Sequence, residues 1–214
     1  STVSRCNHGI YTFSSTGIPI LDATGNNITE NNIGIYVLAS YVSGYNTYKV
    51  TYPSVTVTGN NIYSNLDKNV SVGNGANPRS TDLYFRDNWW GSADGIEIAF
   101  RISDYSSNTN NAFVSYLPFL NGPFDQGGTS TSGNYKAGLI HDNTTWTLAG
   151  SPYVVIGEVI VESEKTLSIE PGVEVRFLSY GITVDGALNA NGTTADKIVF
   201  TSNQSTPAPG NWVG

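Results

Sequence analysis

The chain has no methionine, a single cysteine and few charges, with Asp, Glu, Lys and Arg making up only 13% of its 214 residues. Each scarcity excludes something. With Cys6 alone, no intrachain disulfide can form and cysteine usage does not reveal a redox compartment. Cys6 is expected to be a small buried apolar residue rather than a reactive thiol. Ten Lys and Arg stand against 17 Asp and Glu, a net charge of −7. No basic patch is available to neutralise phosphates, so neither nucleic acid nor an anionic membrane surface is an expected partner. No apolar run approaches the length that spans a bilayer, so no membrane insertion is expected in this segment. No signal peptide opens the chain, which starts at STVSRCNHGIY and stops at APGNWVG. Both ends are expected to be interior to a larger protein.

What is abundant is turn and strand material. Glycine (23 residues) and asparagine punctuate the sequence, and 13 Tyr and four Trp supply bulk that suits strands. Helix formers are scarce, so an all-β chain of short strands and tight turns is expected. Three segments of the first half are variants of one unit. Asn7-His8-Gly9-Ile10-Tyr11 returns as Asn32-Ile33-Gly34-Ile35-Tyr36. Thr24-Gly25-Asn26-Asn27-Ile28 returns as Thr58-Gly59-Asn60-Asn61-Ile62 at a wider spacing, with the excess in the insertion Ser40–Pro53. The shorter of these spacings is the length of one solenoid coil. Strands as short as Val55-Thr56-Val57 bury a face only when stacked on neighbouring coils. Asparagines at equivalent turns tolerate left-handed backbone and can bond from coil to coil, which makes Asn27 with Asn61, and Asn31 with Asn65, the expected ladder.

The runs NITENNIGIYV and GNNIYSN resemble the repeats of right-handed parallel β-helix proteins with the pectate-lyase-like fold, as found in surface proteins of bacteria and archaea. The resemblance covers residues 1–91. It implies a fold and leaves the chemistry open, because lyases, hydrolases, adhesins and surface-layer proteins share it. Leu83 and Phe85 then take the places of Val55 and Val57. Trp89 and Trp90 become part of a cap, and Ile96, Ile98, Phe100 and Ile102 alternate as a final strand. Residues 122–140, rich in Gly, Ser and Thr, are read as a linker. Beyond them apolar residues alternate at Val159 and Val161, Leu167 and Ile169, Val173, Val175 and Phe177, and Ile182 and Val184. Leu188, Ile198 and Phe200 follow. This part resembles the opening coils of another β-helix, at Thr166–Val173, Gly186–Thr193 and Ile198–Ser202. The expected organisation is the last coils and cap of one module (residues 1–121), the linker, and the first coils of a second module (residues 141–214).

Chemistry is harder to find. Asp82, Arg86, Asp87, Asp94, Glu97, Arg101 and Asp104 crowd the cap, and a general acid–base pair or a lyase arginine could be drawn from them. Carboxylates near turns are expected whatever the function, and no spacing here dictates a reaction. Asp82, Asp94 and Glu97 offer oxygens to calcium, but no D-x-D-x-D-G loop orders them, so no cofactor beyond incidental calcium is expected. His8 and His141 belong to different modules, and no metal cluster or Ser-His-Asp arrangement can be nominated. Trp89 and Trp90 could stack on sugars, yet packing into the cap is favoured. The tyrosines of the insertion, Tyr41, Tyr45, Tyr48 and Tyr52, are the better ligand or partner contacts, being in a loop. Five N-x-S/T sequons, at Asn27, Asn69, Asn143, Asn191 and Asn203, are compatible with a secreted glycoprotein and decide little.

The expectation is therefore a structural or adhesive segment of a modular extracellular cell-surface protein. Its partners would be neighbouring copies or modules of the same protein, or cell-surface polysaccharide. A filament or sheath stacked through unfinished coils is the specific form. The alternatives are a carbohydrate-active lyase or hydrolase, which an acidic surface suits poorly on polyanionic substrates, and a carbohydrate-binding module without catalysis.

Overall fold

The computed structural model describes residues 1–13, 18–44, 47–73 and 81–213, with only the backbone described for 40–44 and 47–49. Its contacts divide it into two compact units, Ser1–Thr131 and Ser132–Gly214. The chain is nearly all β, with one short α-helix among the described residues.

In the first unit the chain visits three parallel sheets in the same order on successive passes. The first pass contributes β1 (Thr2–Val3), β2 (His8–Phe13) and β3 (Ile20–Thr24). The second contributes β4 (Asn27–Thr29), β5 (Ile33–Leu38) and, after an antiparallel hairpin of β6 (Ser40–Gly44) and β7 (Thr47–Thr51), β8 (Ser54–Thr58). The third contributes β9 (Asn61–Tyr63), β10 (Lys68–Gly73) and β11 (Asp82–Tyr84). The fourth adds a bridge from Trp89 to Asn61, then helix α1 (Gly95–Phe100), β12 (Ile102–Ser103) and β13 (Phe113–Ser115). The sheets run β1-β4-β9, β2-β5-β10-β12 and β3-β8-β11-β13.

Register puts like on like. Ile28 pairs with Ile62, Ile35 with Val70, Val37 with Val72, and Ala23 with Val57. All eight are buried. Each strand is too short to be stable alone, and burying one Val or Ile contributes roughly 1.5–3 kcal/mol. Stability therefore accumulates pass by pass. The insertion Ser40–Pro53 is the β6–β7 hairpin plus its exit, inserted between two strands of the repeat.

The cap departs from expectation. The stretch read as an alternating strand through Ile96, Ile98 and Phe100 is helix α1. The Asp94 carboxylate accepts from the Ile96 N–H at 2.8 Å, an N-cap, and Gly95 and Ile98 are the buried pair on one face. Phe100 is 63% exposed, where a strand would have buried it. Helical and strand periodicity both fit a short run of alternating apolar residues, and the cap decided between them. Only Ile102 keeps its strand position, paired with Val70. Cys6 is exposed, its thiol donating to the Ser4 carbonyl at 3.4 Å. The register of β1 on β4 ends before it, so it lies on a turn rather than in the core.

The stretch read as a linker is built into both units. A single 3-10 turn at Phe124–Gln126 follows β14 (Phe119–Leu120), which pairs antiparallel with β15 (Ser130–Thr131). In the second unit β16 (Tyr135–Ile140) pairs with β18 (Tyr153–Val161). Low apolar content here reflects short strands on an edge, which need few buried residues.

The second unit has two parallel sheets. One runs β16-β18, β20 (Glu174–Phe177), β23 (Val199–Ser202), with β21 (Ile182–Val184) also on β18. The other runs β17 (Thr144–Trp146), β19 (Thr166–Ile169), β22 (Ala187–Ala190). Trp146, Val155, Val159, Val161, Leu167, Ile169, Val173, Val175 and Phe177 form its core. Val184, Leu188 and Phe200, apolar residues of the pattern noted in the sequence, are exposed because β21, β22 and β23 are the outermost strands of their sheets.

Candidate functional site

Two rows of asparagine run across the passes of the first unit. In one, the Asn26 N–H and amide donate to Asn60 Oδ1 at 3.0 and 3.1 Å, and those of Asn60 donate to Asn88 Oδ1, both at 3.0 Å. In the other, the Asn31 N–H and amide donate to Asn65 Oδ1 at 3.1 Å, and the Asn65 amide donates to Asn69 Oδ1 at 3.1 Å. Asn31, Asn60, Asn65, Asn69 and Asn88 are all buried. Each amide also satisfies backbone carbonyls at the corner: Asn60 donates to Ala23 and Thr58, Asn88 to Val57 and Phe85. A corner turns the backbone away from sheet pairing, leaving carbonyls that a buried amide can satisfy.

The left-handed residue of each corner is the one before the asparagine. Gly25, Gly59 and Asp87 have φ of 69°, 62° and 57°, and Glu30 and Ser64 have 57° and 54°. The asparagines are thus not the left-handed residues the sequence reading made them. Their conformation is ordinary, and their role is the amide. Asn27 and Asn61 form a separate contact, Asn61 Nδ2 donating to Asn27 Oδ1 at 2.7 Å and to Asp125 Oδ1 at 3.1 Å. Asn26, Asn60 and Asn88 escaped the sequence reading, although the Gly-Asn, Gly-Asn, Asp-Asn series at one corner was their signal.

The insertion tyrosines do not form one exposed cluster. Tyr52 is buried and its hydroxyl accepts from the Ala112 N–H at 3.1 Å, because the chain re-enters the core after β7. Tyr41 and Tyr48 lie on the hairpin strands, their side chains outside the described residues, as is Tyr45 altogether. Trp89 is half-buried and continues the β9 row, while Trp90 is buried in the place after it, which Ile62 holds one pass earlier. The indole N–H of Trp90 has no hydrogen-bond partner among the described residues.

The charged residues of the cap are mostly engaged separately. Arg86 donates to Ser115 Oγ at 2.8 Å, lies 4.0 Å from Asp82 and covers the Tyr84 ring. Asp87 accepts from Ser130 at 2.5 Å. Asp104 is buried, accepting from the Ser106 and Val114 N–H groups at 2.9 and 3.0 Å; burial pushes its pKa up to about 6 against those bonds. Among the described residues Glu97 and Arg101 line one opening together. With Tyr63, Asn69, Trp90 and Phe100 they line a cleft of about 440 Å³. Arg101 donates to the Asn65 carbonyl, and Glu97 accepts from Ser92 Oγ at 2.6 Å. Gly91, at φ 87°, lets the chain pass Tyr63 closely, since a Cβ there would stand 2.7 Å from the Tyr63 Cβ. His8 stacks on Tyr36 at 5.0 Å, while His141 pairs with Glu162 at 2.8 Å in the other unit. Among the described residues no three His, Cys, Asp or Glu side chains gather as a metal would require. No helix there is long and apolar enough to cross a membrane.

Comparison with known proteins agrees with the parallel-strand architecture and goes little further. A family model described as a pectate-lyase-like beta helix domain matches residues 138–214. Protein bark beetle of Drosophila melanogaster is 33% identical over 127 residues, covering 54% of this chain and 4% of that protein. The chain thus spans a small fraction of the length of that relative. No solved structure matches. The second unit, Ser132–Gly214, is therefore the part of the chain that is similar to pectate-lyase-like beta-helix domains.

Proposed function

We propose that this chain is a structural segment of a modular extracellular protein, built as a right-handed parallel β-helix that acts as a stiff spacer. The buried asparagine rows carry this reading. They tie successive passes together through the interior, in addition to the backbone ladders, so that bending or stretching must break bonds shielded from water. The acidic, lysine-poor composition supports an extracellular setting. Adhesion would use the hairpin of β6 and β7, whose strands pair with each other and with none of the three parallel sheets.

Single-molecule stretching tests the spacer. Unfolding in steps of one pass is expected, each lengthening the chain by about 80–120 Å at roughly 3.5 Å per released residue. Release of the whole first unit in one low-force event would refute a spacer built from serially bonded passes. Negative-stain electron microscopy, with and without calcium, tests the filament form: rods with a regular repeat would support it and discrete particles would overturn it. Cleavage of an acidic polysaccharide by the purified chain would replace the structural reading with an enzymatic one.

A further inference from the structure

We propose that the cleft beside helix α1 is a binding site for a neutral hexopyranose, formed by Tyr63, Trp90, Glu97, Phe100 and Arg101. Its volume, about 440 Å³, falls within the range of small-molecule sites. The first observation is the pairing of charges. Glu97 and Arg101 are one helical turn apart and both line the cleft, yet among the described residues they form no ion pair with each other. Arg101 uses a guanidinium N–H on the Asn65 carbonyl and Glu97 one oxygen on Ser92, leaving further donors on one and a second acceptor on the other. A ligand rich in groups that both donate and accept satisfies the two together. Sugar hydroxyls do so.

The second observation is independent. Trp90 is 3% exposed, lines the same cleft, and has a buried indole N–H with no partner among the described residues. Buried donors of this kind are nearly always satisfied, so an unpartnered one sealed beneath a cleft points to an acceptor that enters when the lining shifts to admit a ligand. The third is the aromatic surface. Phe100 is 63% exposed although it sits on the helix that closes the first unit, and Tyr63 shares the lining with it. A pyranose presents an apolar face of C–H groups that suits the negative face of an aromatic ring, and a rim of hydroxyls that suits Glu97, Arg101 and the indole.

Charge sets the class. A polyanion would gain the Arg101 guanidinium but meet the Glu97 carboxylate, and a cation the reverse, so each carries an unfavourable juxtaposition that offsets its gain. A neutral ring meets neither. The site touches one asparagine row, since Asn69 lines it and the Asn65 carbonyl holds Arg101, but the row Asn26, Asn60 and Asn88 lies outside it, so sugar binding and the spacer role are tested by different side chains.

The test is two-dimensional NMR of the full chain. The Trp90 indole N–H signal is assigned with Trp90→Phe, and methyl glucoside, methyl galactoside, methyl mannoside and galacturonate are titrated singly. A saturable shift of that signal with at least one neutral glycoside, with Kd in the millimolar range, is expected. Glu97→Gln should weaken binding about tenfold, and Phe100→Ala by a similar factor, with the melting temperature unchanged because both side chains are exposed. Galacturonate should bind more weakly to the parent chain and recover relative to the neutral sugars in Glu97→Gln. No saturable shift with any neutral glycoside would overturn the proposal. So would galacturonate binding as tightly as they do, or Glu97→Gln binding unchanged.

Discussion

Asn60 is the residue at which the internal rows can be tested most sharply. Its amide donates to the carbonyls of Ala23 and Thr58 at 2.8 and 3.0 Å and to Asn88 Oδ1 at 3.0 Å. Its Oδ1 accepts the N–H and the amide of Asn26. The side chain is fully buried. Asn60→Ala leaves the buried Ala23 carbonyl without this donor and removes the acceptor of two Asn26 groups. At about 1–3 kcal/mol for each group left unsatisfied, the expected loss is about 3–5 kcal/mol. For a unit the size of Ser1–Thr131 that lowers the melting temperature by roughly 10–20 °C. Asn60→Asp is the sharper variant. It keeps the acceptor but sets a carboxylate against two carbonyl oxygens, so at neutral pH it should be less stable than Asn60→Ala. Acidification protonates the carboxyl and restores one donor, and the order should then reverse. Urea melts followed by tryptophan fluorescence at pH 7 and pH 4 read both effects, with Asn32→Ala, an exposed asparagine, expected to cost under about 0.5 kcal/mol. Equal stability of Asn60→Ala and Asn32→Ala, or Asn60→Asp indistinguishable from Asn60→Ala at both pH values, would refute the reasoning.

Three further outcomes follow from the same geometry. Gly34→Ala should destabilise the first unit by about 1–3 kcal/mol in denaturant melts. Its Cβ would stand 2.6 Å from the Asn69 carbonyl oxygen and 2.7 Å from Asn65 Nδ2, neither of them free to move. Asp104 is held at a pKa of about 6 against an ordinary 3.8, chiefly by burial. The native state thus binds its proton more tightly than the unfolded chain does. This group's contribution is fully present below about pH 3.8 and is lost as pH rises through about 6, at most about 3 kcal/mol. Carbon-detected NMR titration of the carboxyl checks the value, and a midpoint at or below 4 would refute it. Asp94→Ala should cost about 0.5–2 kcal/mol by removing the cap of α1, with hydrogen exchange rising at Ile96 to Ile98 before the rest of the unit.

Much of the architecture was legible because it is periodic. The segments beginning at Asn7 and Asn32 do lie side by side, with Ile10 paired to Ile35 and Tyr11 to Tyr36. Asn27 does pair with Asn61, and the Ser40–Pro53 excess is a hairpin added to one pass. Val55 and Val57, and Val173, Val175 and Phe177, are buried as alternation requires. Alternation in a strand is a local property, and repetition tells which strands face one another, so both survive in the sequence alone.

The cap and the cleft were not legible, for a different reason. The run Ile96 to Ile102 carries two periodicities at once, and only the Asp94 carboxylate meeting the Ile96 N–H turns it into a helix. That helix is what brings Glu97 and Arg101 beside Trp90 and beside Tyr63, which belongs to the preceding pass. Tyr52 looked like its neighbours in the insertion, yet Ala112, far along the chain, takes its hydroxyl into the core. The sequence by itself therefore determined the repeat, the alternation and the acidic character. The tertiary structure alone decided which side chains from distant passes share a cleft, because that depends on how the last pass is closed and not on any spacing along the chain.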